Sequence, residues 1–544
     1  MKKSYVIIGD GLAALSAART LAEKGLPSIL AAPMPSERAQ SVMAEGGINA
    51  ALDDMDEGDT PLLHEEDTWK AGRFLADKEA IHGLTEAAPG IVRRLYDEGM
   101  SFNLTADGRI AQRPFGGQTR RRTAFASSST GKQLMYTMTR AVLRWEGEGF
   151  VTRMTGWRFL RLVQKDGAAG GVILYNEDEN RLQYLPAAGV IIAAGGMNGL
   201  FGNATGSVLN TGAVEASLFW DGVPLANGEF IQYHPTTVKL HGKNMLITEA
   251  VRGEGGRLYV LKDGSPYYFM EIKYPELGNL MPRDVVAREE WSWMKKDYQV
   301  YLDMSFLGRD VYENKLQSVI SDCLRFLALD PRREPIPVEP GIHYFMGGLY
   351  VERQHRTKIS HLYAAGESAC QYHGANRLGG NSLLGAMYGG KVAAETAAAD
   401  GEAPEMACPA GWDQVDWYYK PGLSPMHEGV LTRKLQQILR TSLGIERNGA
   451  EMEQALAELS AFRKNEAEGA WDGEAPLDTN VLFPARCLLG EALLRSALQR
   501  RESRGAHLRS DCPGEHEEYR KTTVAWWDGK DIQVTLRPIG ESWQ

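Results

Sequence analysis

The sequence predicts an α/β fold built on a parallel β-sheet, and three observations support this. The chain opens with an apolar run at residues 5–8, a helical stretch at 12–24 and a second apolar run at 28–31. Two later apolar runs, at 189–194 and 362–365, each enter a glycine turn. Short, continuous apolar runs are typical of strands that are buried on both faces. Glycine supplies 59 of the 544 residues, against a usual ~7%, which indicates many turns and close backbone approaches.

A glycine turn joins the first predicted strand to the first predicted helix. The motif Gly9-x-Gly11-x-x-Ala14 puts one glycine at a tight turn, a second where backbone approaches a pyrophosphate, and a small residue where helix packs on strand. The helix N-terminus also attracts an anion. The motif in its β-α-β frame therefore predicts a dinucleotide site. No acidic residue follows the second strand at 31–33 to bind a ribose, so this segment leaves NAD and FAD both open.

The positions of the strand-forming runs predict a discontinuous nucleotide-binding domain. Its strands are spread over residues 1–230 and 343–403, so the chain must leave the domain and return to it. The intervening residues 231–342 are richer in aromatic and charged residues and contain turn signals. We therefore expect an inserted domain over 231–342.

The composition changes after a proline-bearing loop that follows the second half of this domain. Residues 411–510 are predicted to be mostly helical, with helices at 431–443 and 450–467. The remaining residues, 511–544, are a small C-terminal segment in which 524–527 is a predicted strand.

Composition and charge exclude several classes of protein. The formal net charge is −10, and only residues 120–122 form a short basic run, so we expect no nucleic-acid partner. No apolar run reaches the ~18 residues that a membrane span needs. Lys2 and Lys3 precede an apolar run, but that run breaks at Gly9 and is interpreted as a strand, not as a signal peptide. The five scattered cysteines contain no Cys-x-x-Cys pair, which indicates no metal site and a reducing, cytoplasmic compartment.

Sequence blocks along most of the chain stand in the order found in one enzyme family. The most specific block, residues 44–51, has the sequence AEGGINAA. The other blocks are residues 65–68, 86–90, 113–117, 230–236, 248–256, 282–284, 341–348, 374–383 and 503–507. The chain resembles the flavoprotein subunit of succinate dehydrogenases and fumarate reductases, and residues 267–279 look closest to the menaquinone-linked type. The resemblance implies a Rossmann-like FAD-binding domain, an inserted α+β capping domain, a helical domain and a small C-terminal domain.

The resemblance also implies which residues bind a dicarboxylate substrate. His343 and Arg377 would hold one carboxylate, and His234 and Thr248 would hold the other. Phe115 would pack against the substrate and help to twist it. His373 stays ambiguous, and the remaining histidines are interpreted as structural or surface residues.

A proton donor is the further requirement for reducing a C=C bond. By resemblance this donor is Arg283, with Glu249 and Arg252 relaying protons to it from solvent. An arginine is an unusual acid, and close packing among other cations would make donation easier. The alternative for Arg283 is a salt bridge to Asp284.

The predicted cofactor contacts combine the glycine motif with residues from the family blocks. The N–H groups around Ser382 and Leu383, at a predicted helix start, would stabilise negative charge on a reduced flavin. Glu367 resembles the glutamate that binds the ribityl chain. The full predicted set is Gly9, Gly11, Ala14, Arg38, Ser41, Gly46, Gly47, Gly195, Glu367, Ser382 and Leu383.

Two residues depart from the family pattern near the expected flavin. Quinone-linked members carry a histidine, covalently bonded to the flavin, six residues before the position of Gly46, where this chain has Gln40. Glutamine cannot form that bond, so we expect non-covalent FAD with a lower potential. Glu45 replaces the family glutamine, and a carboxylate there would lower the potential further unless it is protonated or ion-paired. Both changes favour fumarate reduction over succinate oxidation.

Several functions remain open on the sequence alone. The first hypothesis is a flavoprotein subunit that reduces fumarate. Because the chain shows no iron–sulfur or haem ligands of its own, it would take electrons from an iron–sulfur partner. It would lie in the cytoplasm, or at the cytoplasmic face of the inner membrane through partner subunits such as a membrane anchor. The second is L-aspartate oxidase, whose glutamate for the substrate ammonium stands where this chain has Phe115. The others are a flavoprotein with an inactive site and a reductase of another unsaturated dicarboxylate.

Overall fold

The structure, a computed structural model, describes residues 3–410, 412, 425–464 and 477–543. The strands are β1 (Tyr5–Ile8), β2 (Ser28–Ala32), β3 (Ile48–Asn49), β4 (Gln112–Arg113), β5 (Thr123–Ala124), β6 (Val151–Thr155), β7 (Trp157–Lys165), β8 (Ala168–Asn176), β9 (Arg181–Pro186), β10 (Val190–Ile192), β11 (Leu225–Ala226), β12 (Ile231–Leu240), β13 (Lys243–Leu246), β14 (Arg257–Lys262), β15 (Ser265–Tyr267), β16 (Val300–Asp303), β17 (Ile336–Phe345), β18 (Gly348–Tyr350), β19 (Leu362–Ala364), β20 (Ala369–Cys370), β21 (Glu446–Arg447), β22 (Leu508–Arg509), β23 (Thr522–Trp527) and β24 (Ile532–Arg537). The α-helices are α1 (Leu12–Glu23), α2 (Pro61–Ala71), α3 (Lys78–Asp97), α4 (Thr130–Gly147), α5 (Asn198–Phe201), α6 (Ala213–Trp220), α7 (Ala250–Gly253), α8 (Phe269–Lys273), α9 (Arg283–Met294), α10 (Arg309–Asn314), α11 (Gln317–Asp322), α12 (Asn381–Asp400), α13 (Pro425–Ser442), α14 (Gly449–Phe462) and α15 (Leu477–Gln499).

A five-stranded parallel sheet in the order β19-β10-β1-β2-β6 lies at the centre of the nucleotide-binding part. Its strands β1, β2, β10 and β19 are the apolar runs that the sequence predicts, and the predicted fold class is confirmed. Helix α1 begins after Gly11 and ends before Gly25, whose φ of +68° suits a glycine. Because β1, β10 and β19 are parallel, the turns that follow them open at one edge of the sheet.

The inserted segment forms a six-stranded sheet in the order β13-β12-β17-β16-β14-β15. Its long central pair, β12 and β17, is antiparallel, with an irregularity in register between His234 and Thr237. This pair brings His234 and His343 to one end of the sheet. The predicted return to the nucleotide-binding domain at 343 falls inside β17, and the domain boundaries themselves stay predictions.

The C-terminal part packs onto the nucleotide-binding part through a shared sheet. The predicted strand at 524–527 is part of β23, which pairs with β11 in the order β20-β18-β11-β23-β24. The fully buried Arg500 donates to Glu229 at 2.6 Å and to Glu502 at 3.0 Å, which ties the region after α15 to the chain just before β12. A buried arginine needs such partners, because leaving it unpaired is costly.

The predicted helices of the 411–510 region correspond to α13 and α14 where the structure describes them. Residues 465–467, the end of the second predicted helix, lie outside the described residues. Within the described ranges, no helix is both long and apolar enough to cross a membrane.

Candidate functional site

A cavity of about 930 Å³ lies where the turns of the parallel sheet meet the sheet of the inserted segment. Every predicted cofactor residue except Ala14 lines it. Of the predicted substrate and proton-transfer residues, only Arg252 does not line it. The lining residues from the two predicted sets are Gly9, Gly11, Arg38, Ser41, Gly46, Gly47, Phe115, Gly195, His234, Thr248, Glu249, Arg283, His343, Glu367, Arg377, Ser382 and Leu383.

The first turn of the fold needs its glycine for two reasons. Gly9 has a φ of +124°, and a Cβ atom there would lie 2.2 Å from the carbonyl oxygen of Ala193. The backbone N–H of Leu12 donates to Ser41 Oγ at 3.3 Å, which draws the loop around Ser41 against the start of α1. Ala14 is completely buried in the core behind the cavity wall, where its small size allows helix and strand to pack closely.

Two buried carboxyl groups that the family blocks do not include also line the cavity. Asp10 Oδ1 and Glu215 Oε1 have no hydrogen-bond partner among the described residues. Burial raises the pKa of Asp10 to about 6 and that of Glu215 to about 7. The predicted residue Glu367 is a third buried carboxyl group in the lining: burial raises its pKa to about 7, but its Oε1 already accepts the N–H of Phe345 at 3.0 Å. Unpartnered acceptors of this kind fit the hydroxyl groups of a dinucleotide. No motif points to Glu215, so only the structure finds it.

The N-terminus of α12 faces the same cavity. Gly380 precedes the helix with a φ of +86°, and Ser382 and Leu383 lie in its first turn. A helix N-terminus carries unpaired N–H groups and a partial positive charge. The cavity therefore has an end that suits a group on which negative charge develops.

Four cationic or potentially cationic side chains meet at one end of the cavity. The rings of His234 and His343 lie 5.0 Å apart, centroid to centroid. Arg283 Nη1 and Arg377 Nη2 both donate to Gln232 Oε1, at 3.1 and 3.0 Å. Gln232 belongs to a family block, but the sequence does not predict that two buried arginines donate to its side-chain oxygen. Tertiary packing decides which acceptor a buried side chain reaches.

Both histidines are neutral in this arrangement. Burial, followed by the positive charge of Arg283, holds the pKa of each well below its ordinary value. His234 Nδ1 lies 3.2 Å from the backbone nitrogen of Thr236 and 3.3 Å from its carbonyl oxygen, so Nδ1 is occupied by Thr236 and Nε2 is left for a ligand. His343 Nδ1 bonds to the hydroxyl of Thr205 at 2.7 Å, which leaves Nε2 for a ligand.

The three predicted proton-transfer residues form one connected group. Arg283 donates from Nε and Nη2 to Glu249 Oε2, at 2.8 and 2.6 Å, and Arg252 Nη2 lies 3.2 Å from Glu249 Oε1. Burial by itself would raise the pKa of Glu249. The positive charges of Arg283 and Arg252 outweigh burial and hold this pKa below its ordinary value. The alternative salt bridge from Arg283 to Asp284 does not form. Asp284 Oδ2 instead accepts from Arg73 at 2.9 Å and from Arg288 at 2.8 Å.

Phe115 is held against the charged end of the cavity by glycines. A Cβ atom on Gly379 would lie 2.9 Å from the Phe115 ring and 2.6 Å from Glu249 Oε2. Only a glycine allows these three groups to approach so closely. Phe115 is 2% exposed, so its ring excludes water from the wall that it forms.

His373, which the sequence left ambiguous, supports the site from behind. Its Nε2 bonds to the hydroxyl of Tyr344 at 3.1 Å, and Arg377 lies 4.2 Å from the centre of the Tyr344 ring. A cation over an aromatic face is stabilised, and more so when both are buried. His373 therefore orients Tyr344, which in turn packs on Arg377.

Gln40 and Glu45 both line the cavity, as the comparison of sequence blocks predicts. Burial, with a smaller contribution from Asp322, raises the pKa of Glu45 to about 8. Glu45 is therefore protonated at neutral pH, and it adds negative charge to the cavity only in more alkaline solution.

Comparison with known proteins identifies the family. The family described as "FAD binding domain" matches residues 4–383, and the one described as "Fumarate reductase flavoprotein C-term" matches residues 432–542. The succinate dehydrogenase flavoprotein subunit of Bacillus subtilis is 36% identical over 96% of this chain and 94% of its own. The chain belongs to the succinate dehydrogenase/fumarate reductase flavoprotein family. It is thus an FAD-dependent oxidoreductase.

Two further relatives of this flavoprotein show the breadth of the family. The L-aspartate oxidase of Streptomyces coelicolor is 33% identical over 93% of this chain and 88% of its own. The solved structure of an E. coli quinol fumarate reductase variant superposes with a TM-score of 0.89, at 26% identity, over 100% of this chain and 98% of the other. Family membership therefore fixes the cofactor and the fold, and leaves the substrate to the residues of the site.

We expect the variant Gly9→Ala to lose bound FAD. The added methyl group would meet the Ala193 carbonyl and would occupy a backbone conformation that costs a non-glycine residue about 1–3 kcal/mol. The measurement is the ratio of flavin absorbance to protein in the purified variant. Gly25→Ala is the matched control, because Gly25 also has a positive φ but would meet nothing within 4 Å. A fully yellow Gly9→Ala protein would contradict the role of this turn.

Proposed function

We propose that this chain is the catalytic flavoprotein subunit of an enzyme that reduces fumarate to succinate, and that can run reversibly. Its cofactor would be non-covalent FAD, and its electrons would come from an iron–sulfur partner subunit. The observation that carries the proposal is the charge of the substrate end of the cavity.

Three arginines and one carboxylate determine this charge. Arg252, Arg283 and Arg377 are each at least nine-tenths buried, and Glu249 is the carboxylate that bonds to two of them. With both histidines neutral, the group has two net positive charges. Burying net charge is costly, and a ligand of opposite charge removes the cost. A dicarboxylate dianion such as fumarate matches this requirement.

The geometry supports one binding pair for each carboxylate. The charge of Arg377 acts on His343, and Arg377 is itself fixed by its hydrogen bond to Gln232, so these two residues would bind the first carboxylate. His234 would donate its Nε2 proton to the second carboxylate, together with the hydroxyl of Thr248, which is buried and lines the cavity. Charge-assisted hydrogen bonds of this kind are about twice as strong as neutral ones.

Proton delivery falls to Arg283 in this proposal. Bound FAD would supply a hydride to one carbon of the double bond. Arg283 would donate a proton to the other carbon and would be reprotonated through Glu249 from Arg252. The hydrogen bonds from Arg283 to Glu249 hold the guanidinium in place before the substrate arrives, and preorganisation of this kind lowers the barrier.

The direction of catalysis and the partners complete the proposal. Gln40 cannot form a covalent flavin bond, so the potential should be lower than in covalent members. Glu45, protonated at neutral pH, would lower it further only above about pH 8. The names of several relatives call them flavoprotein subunits, which supports a partner that delivers electrons. A membrane-anchor subunit would then attach the assembly to the inner face of a membrane.

We expect the variant Arg283→Lys to lose about 10³-fold or more in fumarate turnover with FAD retained, because lysine keeps the charge but loses the planar fork that bonds to Glu249 and Gln232. Turnover is measured with a reduced viologen as donor. Arg288→Lys, in the next turn of the same helix, is the control and should stay close to wild type. Near-normal turnover in Arg283→Lys would remove that residue from the proposed role.

We expect fumarate to be reduced while L-aspartate is not oxidised at a comparable rate. The ring of Phe115 offers an ammonium group no ionic partner, and sites reject an unmatched polar group strongly. The measurement compares fumarate reduction by reduced viologen with aspartate-dependent reduction of oxygen or dye. An aspartate activity equal to the fumarate activity would favour the aspartate oxidase alternative. Bound flavin with neither activity would indicate an inactive site, and turnover of a related unsaturated diacid alone would indicate another substrate.

We expect acid precipitation to leave all the yellow colour in the supernatant, because Gln40 cannot hold the flavin covalently. Fumarate reduction should also exceed succinate oxidation with artificial donors and acceptors. A fall of ~30 mV in a two-electron couple shifts the equilibrium about tenfold. Flavin that remains with the precipitate would show another covalent link. Faster succinate oxidation would show that Gln40 does not set the direction.

A further inference from the structure

The turn that follows β1 carries a carboxyl group at the place where a pyrophosphate is expected. Asp10 stands between the two glycines of the motif, Gly9 and Gly11, where the backbone approaches that anion. A carboxylate beside a pyrophosphate is repelled by it, so the carboxylate must be stabilised by hydrogen-bond donors. The question is which donors Asp10 has.

One oxygen of Asp10 has no donor among the described residues. Asp10 is 6% exposed and lines the cavity, and its Oδ1 is buried without a hydrogen-bond partner. Its pKa of about 6 leaves it mostly ionised at neutral pH, and an ionised carboxylate can only accept hydrogen bonds. A buried acceptor without a donor is costly, so a ligand group that donates to Oδ1 would bind favourably.

The sheet places this carboxyl group beside the end of β2. Strands β1 and β2 are parallel neighbours, with Ile8 opposite Ala31. The N–H of Gly9 also donates to the carbonyl oxygen of Ala31 at 2.9 Å, which holds the turn against β2. Asp10 is two residues beyond Ile8, so it leaves the sheet level with the first residue that follows β2.

The end of β2 lacks the acid that this position usually supplies. In dinucleotide-binding folds, an acidic residue after the second strand binds a hydroxyl group of the adenosine ribose. Here the corresponding residues are Ala31, Ala32 and Pro33, and all three line the cavity. Their side chains contain no acceptor, and the two alanines leave room for a side chain from the neighbouring turn.

The order of the strands separates the two halves of the cofactor. In the sheet β19-β10-β1-β2-β6, Glu367 follows β19 on one side of β1, and the end of β2 lies on the other side. Glu367 is the predicted contact of the ribityl chain, which belongs to the flavin half. Asp10, beside β2, therefore faces the adenosine half.

We propose that Asp10 takes over the role of the acid absent from the end of β2 and binds the 2′- and 3′-hydroxyl groups of the adenosine ribose of FAD. The hydroxyl groups would donate to the carboxylate, and hydrogen bonds to an ionised acceptor are about twice as strong as neutral ones. Asp10 holds the cofactor and takes no part in the reaction. The inference needs the FAD of the family and does not depend on the proposed reduction of fumarate.

The test measures the Kd of the full-length apo-protein by calorimetry for two ligands. One ligand is FAD, and the other is an FAD analogue whose adenosine ribose lacks both hydroxyl groups. The variants are Asp10→Ala and Asp10→Asn, and the second keeps the size of the side chain while removing its charge. Glu37→Gln is the matched control, because Glu37 is an exposed carboxylate in the turn after β2 that does not line the cavity.

We expect wild type to bind FAD about tenfold more tightly than the analogue, equivalent to about 1.4 kcal/mol. Asp10→Ala should bind FAD about tenfold more weakly than wild type and should bind the two ligands equally, because the acceptor is gone. Asp10→Asn should show a smaller preference for FAD than wild type, since a neutral amide oxygen accepts more weakly. Glu37→Gln should keep the full wild-type preference.

Three results would overturn the proposal. Wild type could bind both ligands equally, or Asp10→Ala could keep the tenfold preference for FAD. An equal loss of affinity for both ligands in Asp10→Ala would point to another donor, such as the adenine amino group. These outcomes are independent of activity: a protein that shows the expected preference but does not reduce fumarate would refute the proposed function alone.

Discussion

Two buried arginines donate to the same amide oxygen. The rest of the site depends on the groups that offset the repulsion between their like charges. Arg283 and Arg377 both bond to Gln232 Oε1, although their like charges repel. Glu249 offsets one charge, and the amide of Gln232 is itself fixed by donating to Asn376 and to the carbonyl of Arg377, at 2.9 and 2.8 Å. The remaining positive charge is what a dianionic ligand would neutralise.

The pairing of two strands of the inserted segment brings the two histidines of the substrate end together. Strands β12 and β17 carry His234 and His343, while the parallel sheet supplies the glycine turns at the opposite end. Arg377 belongs to neither sheet and lies just before α12, whose N-terminus faces the cavity. A site assembled from segments so far apart in the chain is rigid only because each segment is anchored in its own core.

Burial controls the protonation of the acidic groups around the site. Asp10, Glu45, Glu215 and Glu367 all line the cavity, and burial raises the pKa of each. Glu249 is the exception, since two arginines keep it ionised. The substrate end of the cavity is positive even though the whole protein is acidic, because three buried arginines there face one ionised carboxylate, that of Glu249.

The sequence by itself determined the local features of this protein. Apolar runs and the turn at Gly9 predicted the parallel sheet and the dinucleotide site, because side-chain period and turn chemistry are local properties. The glycine motif and the family resemblance predicted part of the cavity lining. Of the predicted cofactor, substrate and proton-transfer residues, only Ala14 and Arg252 do not line the cavity.

Only the tertiary structure decided which polar groups pair with which. Asp284 bonds to Arg73, 211 residues away, and not to its neighbour Arg283. The shared acceptor at Gln232 and the unpartnered carboxyl oxygen of Glu215 are equally invisible in the sequence. The partner of a buried polar group is set by packing between distant segments, and the free energy that penalises an unpaired charge acts only once those segments have excluded water.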